Sequence, residues 1–373
     1  MAWRSLAAFP IAGGILWAQI YASNLPPDEY LRAIADDPVA RLIHSNAKLD
    51  IREGLGYLPS LLDHLAIPAD SQALVFSKTS FQAEKISPRN PRAIYFNDSV
   101  AVGWVRGAAS MEVAAVDPRQ GVIFYTLDGE GRFARQEVCL KCHQGAATMG
   151  VPGMFIGSVF PDVSGMPDRA GAIITDHRTP FADRWGGWYV TAAHGEQPDR
   201  ANGVAEDPSE PHVLKSRQNL TSLVREFNTG GYLTPLSDIV ALMTFEHQTQ
   251  MINLMTRVAW EARMGKPADA DIDALVRYML FTGEAPLKEP IEGLSTFAKT
   301  FPERGPRDHK GRSLRDFDLQ TRLFRYPLSY MVYSEQFDAL PSKVRDAIWR
   351  QVFAALKDRP DVIEILRETK PGI

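Results

Sequence analysis

Four short runs of β-prone residues follow one another closely in the first half of the chain. Turn sequences such as Asp117-Pro118 separate them, and connections this short join antiparallel neighbours. The pattern therefore predicts an antiparallel sheet in this part of the chain. These four runs and the β-like runs further along are residues 93–96, 100–105, 111–116, 122–127, 155–160, 172–175 and 188–192.

Helical patterns lie on both sides of this β-rich part. Residues 26–66 predict helix, with an apolar face that includes Ile34 and Ile43. After residue 219 the chain reads mainly as helix, and Thr234-Pro235 is a start signal, because threonine caps a helix and proline fits its first position. Further helices are predicted over residues 271–282, 344–357 and 361–369. The sequence thus predicts an α+β fold, with a β-rich N-terminal half packed on a mainly helical C-terminal half.

The segment Cys139-Leu140-Lys141-Cys142-His143 reads C-x-x-C-H and contains the only 2 cysteines of the 373 residues. This is the pattern of covalent haem c attachment. Two thiols one helical turn apart can reach both vinyl groups of a porphyrin, and the adjacent imidazole can then bind the iron. The motif predicts one haem c attached through Cys139 and Cys142, with His143 as the proximal iron ligand, inside the β-rich half.

Other interpretations of the two cysteines stay open at this point. A dithiol redox site is one of them, although that chemistry does not need a following histidine. A disulfide between Cys139 and Cys142 would leave His143 without a role. A structural zinc ion would need two further ligands, and the next histidine, His177, lies too far along the chain for finger-like spacing.

The amino terminus predicts export. The positively charged segment Met1 to Arg4 precedes an uncharged apolar stretch from Leu6 to Ile20, which is shorter than the ~20 residues that span a bilayer. We interpret residues 1–22 as a signal peptide and expect a periplasmic protein. Export is consistent with haem c, because bacteria attach this haem outside the cytoplasm.

Composition and patterning suggest two regions after the signal peptide. We expect a mixed helical and β region over residues 23–215, which carries the haem c motif, and a mainly helical region over residues 216–373. The formal net charge of −4 gives no support to nucleic-acid binding. No second apolar run reaches membrane length, so no stable membrane span is expected. A single C-x-x-C-H motif excludes a multihaem chain.

Residues 138–145, Val-Cys-Leu-Lys-Cys-His-Gln-Gly, resemble the haem-binding segment of the c-type cytochromes. The resemblance implies thioether bonds at Cys139 and Cys142, a proximal ligand at His143 and a redox partner protein. Over residues 94–105, 176–197 and 322–340 the chain is also similar to large exported monohaem proteins of bacteria. This wider resemblance implies a location and a cofactor, and no particular reaction.

The ligand opposite His143 would decide the function, because a second strong ligand favours electron transfer and an open position favours small-molecule binding. His247 is a candidate distal ligand on an apolar helical stripe, and one of Met149, Met154 or Met166 is an alternative. Methionine and histidine on such a stripe can also be ordinary core residues. The members of the stripe are Leu236, Val240, Met243, His247, Met251, Leu254 and Val258.

Single-electron transfer in the periplasm is therefore the leading hypothesis. A haem enzyme, or a protein that binds peroxide, oxygen or nitric oxide, is the alternative, and an interaction module with a structural or sensory haem is a third. Residues 184–189 could cover a haem and pair with its propionates, although a packed hairpin fits them better. Asp176-His177-Arg178 could serve acid–base chemistry or form a hydrogen-bonded loop.

Overall fold

The computed structural model describes residues 29–168, 171–266 and 268–373. The predicted signal peptide over residues 1–22 lies outside the described residues. None of the helices in the described ranges combines the length and the apolar character needed to cross a bilayer.

Among the described residues, seven strands form one antiparallel sheet, in the spatial order Phe133–Arg135 (β6), Gly121–Asp128 (β5), Ser110–Asp117 (β4), Val100–Trp104 (β3), Arg92–Phe96 (β2), Ala73–Val75 (β1) and Trp188–Tyr189 (β9). Strands β2 to β5 are consecutive in the chain and coincide with the four predicted β runs, which confirms the antiparallel sheet. The strands are β1 (Ala73–Val75), β2 (Arg92–Phe96), β3 (Val100–Trp104), β4 (Ser110–Asp117), β5 (Gly121–Asp128), β6 (Phe133–Arg135), β7 (Ile156–Ser158), β8 (Ile173–Thr175), β9 (Trp188–Tyr189), β10 (Ala192–Ala193), β11 (Val204–Ala205), β12 (Leu214–Lys215) and β13 (Glu292–Gly293).

The longest helices follow residue 238, as the sequence predicts. The helix predicted over residues 344–357 buries apolar residues four apart, for example Ile348 and Val352. The helices of the described residues are α1 (Glu29–Arg32), α2 (Pro38–His44), α3 (Leu58–His64), α4 (Leu140–His143), α5 (Ile239–Arg263), α6 (Asp269–Met279), α7 (Phe297–Glu303), α8 (Glu335–Asp338), α9 (Ser342–Ala355) and α10 (Pro360–Thr369).

The predicted start of α5 at Thr234-Pro235 is wrong by about one turn. The helix begins at Ile239, and its cap is Asp238, whose carboxylate accepts hydrogen bonds from the backbone N–H of Val240 and Ala241. The residues before it are not helical, and another segment uses their backbone groups. The Gln72 amide donates to the carbonyls of both Thr234 and Leu236, at 2.9 and 2.6 Å.

Alternate side chains of each strand point to opposite faces of the sheet. Other elements cover both faces, so both are buried. On one face Phe96 stacks on Phe245 of α5, with ring centroids 4.5 Å apart. On the other face the N-terminal helices cover the strands, and the Tyr125 hydroxyl donates to the Asp37 carboxylate at 2.6 Å. The sheet therefore lies between two packed layers.

The N-terminal helical prediction is confirmed in outline and wrong in detail. Three short helices, α1 to α3, replace one long amphipathic segment. Ile34 and Ile43, which were expected on the buried face, are 87% and 41% exposed. Ile34 lies between α1 and α2, where the chain is not helical and the helical periodicity no longer applies.

The main hydrophobic core contains residues from both predicted regions. Val122 and Phe124 of the sheet belong to the same cluster as Met251 of α5 and Ile348 of α9. The structure thus confirms an α+β fold with a β-rich N-terminal half and a helical C-terminal half, and the shared core continues across the predicted boundary at residue 215.

Candidate functional site

The C-x-x-C-H segment forms a single helical turn just after β6. A 3-10 turn, Glu137–Cys139, leads into α4, and Cys139 has helical backbone angles of φ −61° and ψ −29°. Residues three apart on a helix are neighbours on one side, so Cys139 and Cys142 present their sulfur atoms to the same region. Both are free thiols, Cys142 exposed and Cys139 half-buried. The structure therefore does not join them by a disulfide.

The His143 imidazole is fixed by its hydrogen bonds and by two aromatic rings. Its Nδ1 lies 3.0 Å from the carbonyl oxygen of Gly153, and the Gly153 N–H donates to the His143 carbonyl at 2.9 Å. The ring lies against Phe124 of β5 and Phe155, at centroid distances of 4.7 and 5.3 Å. A carbonyl can only accept, so Nδ1 carries the proton and the lone pair of the neutral ring is on Nε2.

The electrostatic state of His143 suits a metal ligand. Burial lowers the pKa of His143 to about 4, so the ring is neutral at physiological pH. Iron binds the unprotonated nitrogen of a neutral imidazole. Within the described ranges no hydrogen-bond partner is found for Nε2 of His143. The nitrogen that an iron ion would use is therefore unprotonated and available.

Helix α5 holds the loop that carries the Gly153 carbonyl. The Asn253 amide donates to the carbonyl of Met154 at 2.7 Å, and its oxygen accepts from the Met154 N–H at 3.2 Å. One turn further along, the Arg257 guanidinium donates to the carbonyl of Met149 at 2.9 Å. The Pro152 carbonyl accepts from Val122 at the start of β5, at 3.1 Å. The loop after the motif is thus tied to both a helix and the sheet.

The Cys139 thiol is not activated. Burial, with a smaller contribution from the carboxylate of Glu112, raises the pKa of Cys139 to about 11. Dithiol redox sites instead hold a cysteine with a lowered pKa. Glu112 is itself paired with Arg92 at 2.6 Å. These surroundings argue against the dithiol interpretation of the segment.

A zinc interpretation also lacks support from the arrangement of ligands. In the part of the chain that the structure describes, the group of three side chains able to share a metal ion is His309, Glu364 and Glu368, away from the cysteines. That group is on the surface, and Glu364 is already paired with Lys310 and Arg312 at 2.6 Å each.

The structure places His247 in a buried polar cluster, not beside the C-x-x-C-H segment. Its Nδ1 is 2.9 Å from Nδ1 of His177, and its Nε2 is 2.7 Å from the Ser329 hydroxyl. Its aromatic neighbours are Tyr278 and Phe281, among others, and His143 is not among them. An iron ion could reach either nitrogen only by breaking a hydrogen bond. The role of His247 as distal ligand stays a prediction, and it would require His247 to give up one of these two contacts.

The three candidate methionines differ in their positions. Met154 follows Gly153 directly and is buried, whereas Met166 is 50% exposed on a separate turn. Met149 packs at the edge of the main core, as does Cys139, and its sulfur lies 3.7 Å from the Gln250 amide. None of the contacts within the described residues joins a methionine sulfur to His143.

The buried cluster around His247 also contains Arg184 and His177, for which the sequence left two interpretations open. Arg184 is 1% exposed and pairs with Glu246 of α5 at 3.2 Å, and Thr175 donates to the same carboxylate at 2.6 Å. Arg184 therefore faces the interior, so residues 184–189 are packed as expected, but they do not form a hairpin, because Trp188 and Tyr189 pair with β1. His177 shares in this cluster through His247, whereas Asp176 pairs with Arg178 at 2.6 Å.

Sequence reasoning missed the residues that orient His143. Phe124 and Phe155 lie in predicted β runs, and no role is predicted for Gly153. Asn253 lies 99 residues from its partner Met154, so no local pattern connects them. The sequence also offered no distinct signal for Asn253, because the same helix carries further polar side chains such as Gln248 and Gln250.

Comparisons of the chain with protein-family models, with curated proteins and with solved structures found no match.

Proposed function

We propose that this chain is an exported monohaem c-type protein that transfers single electrons in the periplasm. The observation that carries the proposal is one helical turn that combines two free thiols with a neutral imidazole, whose Nδ1–H is fixed on a backbone carbonyl. Metal-bound histidines commonly donate their second N–H in this way, which fixes the tautomer and the ring orientation.

The residues of the site fit a covalently attached haem. Each thiol would add its sulfur to one vinyl carbon and its hydrogen to the other, so that no external oxidant is needed. Cys142 is exposed and Cys139 is half-buried, so the two thiols that would attach the haem lie at or near the protein surface. Nε2 of His143 would bind the iron, while Phe124 and Phe155 limit the rotation of the imidazole. When bound, haem supplies an iron atom that accepts and returns one electron.

The proposed location and partner rest on the sequence. The uncharged apolar stretch before Ala22 supports export to the periplasm, and attachment of haem c requires it. The position of the two thiols near the surface supports electron exchange with a redox partner protein, because another molecule could approach a haem attached there. The net charge of −4 gives no reason to expect a nucleic-acid partner.

The test is covalent haem in the purified full-length protein. We expect a bacterium that matures c-type cytochromes in its periplasm to yield a coloured protein that keeps its pigment in acidified organic solvent. Its mass should exceed that of the mature polypeptide by one haem. The variant C139S/C142S should be exported and colourless, because the thioether bonds cannot form. A colourless wild-type protein that is exported and folded would refute the proposal.

A second candidate function is small-ligand binding at an open distal position. The observation that favours it is the position of His247, whose two ring nitrogens are already hydrogen-bonded inside the protein. An electron carrier with two strong ligands should not bind carbon monoxide rapidly, whereas an open site should. Rapid binding by the reduced protein would favour the second function, and an unchanged spectrum would favour electron transfer.

A further inference from the structure

Asn253 is a buried amide that bonds to both the backbone N–H and the backbone carbonyl of one residue, as a neighbouring strand would. Its side chain is only 1% exposed, and it makes one donor and one acceptor contact with the same residue, Met154. A side chain paired at both ends in this way restrains the position of the peptide it faces. The restrained peptide lies directly after Gly153, whose carbonyl accepts the hydrogen bond of the His143 imidazole.

The fit between Asn253 and Gly153 leaves no room for a larger residue. A Cβ atom added at Gly153 would lie 2.0 Å from Oδ1 of Asn253 and 3.2 Å from Cβ of Thr148. The first contact is far too short, so either the amide or the loop would have to move. Asparagine at position 253 therefore requires glycine at position 153.

We propose that Asn253 is a positioning residue for the haem iron, which acts by holding the Gly153 carbonyl against Nδ1 of His143. The inference rests on the proposed function, because it assigns to Asn253 a role at the same iron. A strong hydrogen bond at Nδ1 increases the electron donation of the ring through Nε2, which favours the oxidised metal. Helix α5 would thus contribute to the redox potential through the loop that carries Gly153.

The first test is the midpoint potential of the haem-loaded full chain. In N253A the loop loses both contacts, the His143 hydrogen bond weakens and the potential rises. We expect the ratio of reduced to oxidised protein at a fixed applied potential to rise about tenfold, which corresponds to ~59 mV for one electron. The matched control is T244V, because Thr244 is equally buried on α5 and its hydroxyl bonds only to Val240 of the same helix, at 2.7 Å. T244V should leave the potential unchanged.

The second test uses the pair as a double-mutant cycle. G153A alone should shift the potential at least as far as N253A, because its new methyl group displaces the amide. In G153A/N253A the collision is absent, so the double variant should match N253A alone instead of summing the two shifts. A simple sum would mean that the two residues act independently, and it would overturn the proposal.

The third test does not need the cofactor. In the full chain produced without haem and labelled with 15N-histidine, His143 should give the signals of a ring protonated at Nδ1, and N253A should shift them towards a mixture of tautomers. If N253A loses stability yet leaves both the potential and the tautomer unchanged, Asn253 is only structural and the inference fails. If the wild-type chain never acquires haem, the proposed function fails, and the tautomer result still decides whether Asn253 orients His143.

Discussion

Cys139 and Cys142 have different surroundings, although the motif treats them alike. The sequence predicted both thiols and the imidazole beside them, because their spacing along one helical turn is local information. It could not predict that Cys139 is half-buried beside the Arg92–Glu112 ion pair, since strands β2 and β4 bring those side chains there. It also could not predict the Gly153 carbonyl as the partner of His143, because a helix far along the chain fixes that loop.

The burial of Cys139 predicts unequal thiol reactivity in the full chain without haem. A thiol with a pKa of about 11 is almost entirely protonated at pH 8, whereas an ordinary cysteine has a pKa near ~8.5. Iodoacetamide should therefore modify Cys139 about 100-fold more slowly than an ordinary exposed cysteine, as followed by peptide mass spectrometry. E112Q should accelerate the reaction at Cys139, because it removes a negative charge that disfavours the thiolate. E130Q is the control at an exposed site, and equal rates in all three proteins would contradict the prediction.

Helix α5 shows what periodicity can and cannot predict at the scale of an element. The apolar stripe from Val240 to Val258 is buried as expected, but periodicity did not predict that polar residues on the other sides of the helix, such as Glu246 and Gln248, are buried as well. The position of the first turn was predicted wrongly, because Thr234 and Leu236 give their carbonyls to Gln72. A start signal is thus overridden where tertiary contacts use the backbone carbonyls that follow it.

The two competing cap residues of α5 can be separated by stability. Asp238 accepts from two backbone N–H groups of the first turn and also from the N–H of Ser295, at 2.8 Å. D238A should lower the free energy of unfolding by about 2 kcal/mol, at the upper end of the range for an N-cap. T234A should change it by less than about 0.5 kcal/mol, because Thr234 precedes the helix. Denaturant unfolding measures both, and a larger loss in T234A would contradict the assigned cap.

At the scale of the whole molecule, the buried polar cluster around His247 joins the β-rich half to the helical half. His177 follows β8 and His247 lies in α5, and they share one hydrogen bond in the interior. Sequence analysis placed each of them on its own segment, and predicted the α+β class from the order of strands and helices. It had no means of pairing two histidines 70 residues apart, because their contact depends on how the halves pack.

This histidine pair predicts a loss of stability in acid. Burial lowers the pKa of His177 and His247 well below the ordinary value of 6.5, so the folded protein keeps both neutral while the unfolded chain takes up protons. Stability should therefore fall as the pH drops below about 6.5, by up to ~1.4 kcal/mol per pH unit for each histidine, and the pair should have no effect above it. The buried carboxyls of Glu246 and Asp199 have raised pKa values and oppose this trend.

A variant comparison isolates the histidine contribution. In H177Q the difference in unfolding free energy between pH 7.5 and pH 5.5 should be smaller than in the wild type, because one proton-binding group of the unfolded chain is gone. H309Q is the control, because His309 is an exposed residue paired with Glu368. Equal pH dependence in H177Q and the wild type would show that His177 does not contribute.

The sheet that is buried on both sides has a practical consequence for trimming the protein. Phe96 loses its stacking partner Phe245 if the chain is cut near residue 215, and Val122 and Phe124 lose the core that they share with Met251. A short fragment around Cys139 would thus expose a large apolar surface, and we expect it to aggregate. The C-x-x-C-H turn is a small part of this protein, yet it can be studied only with the entire scaffold in place.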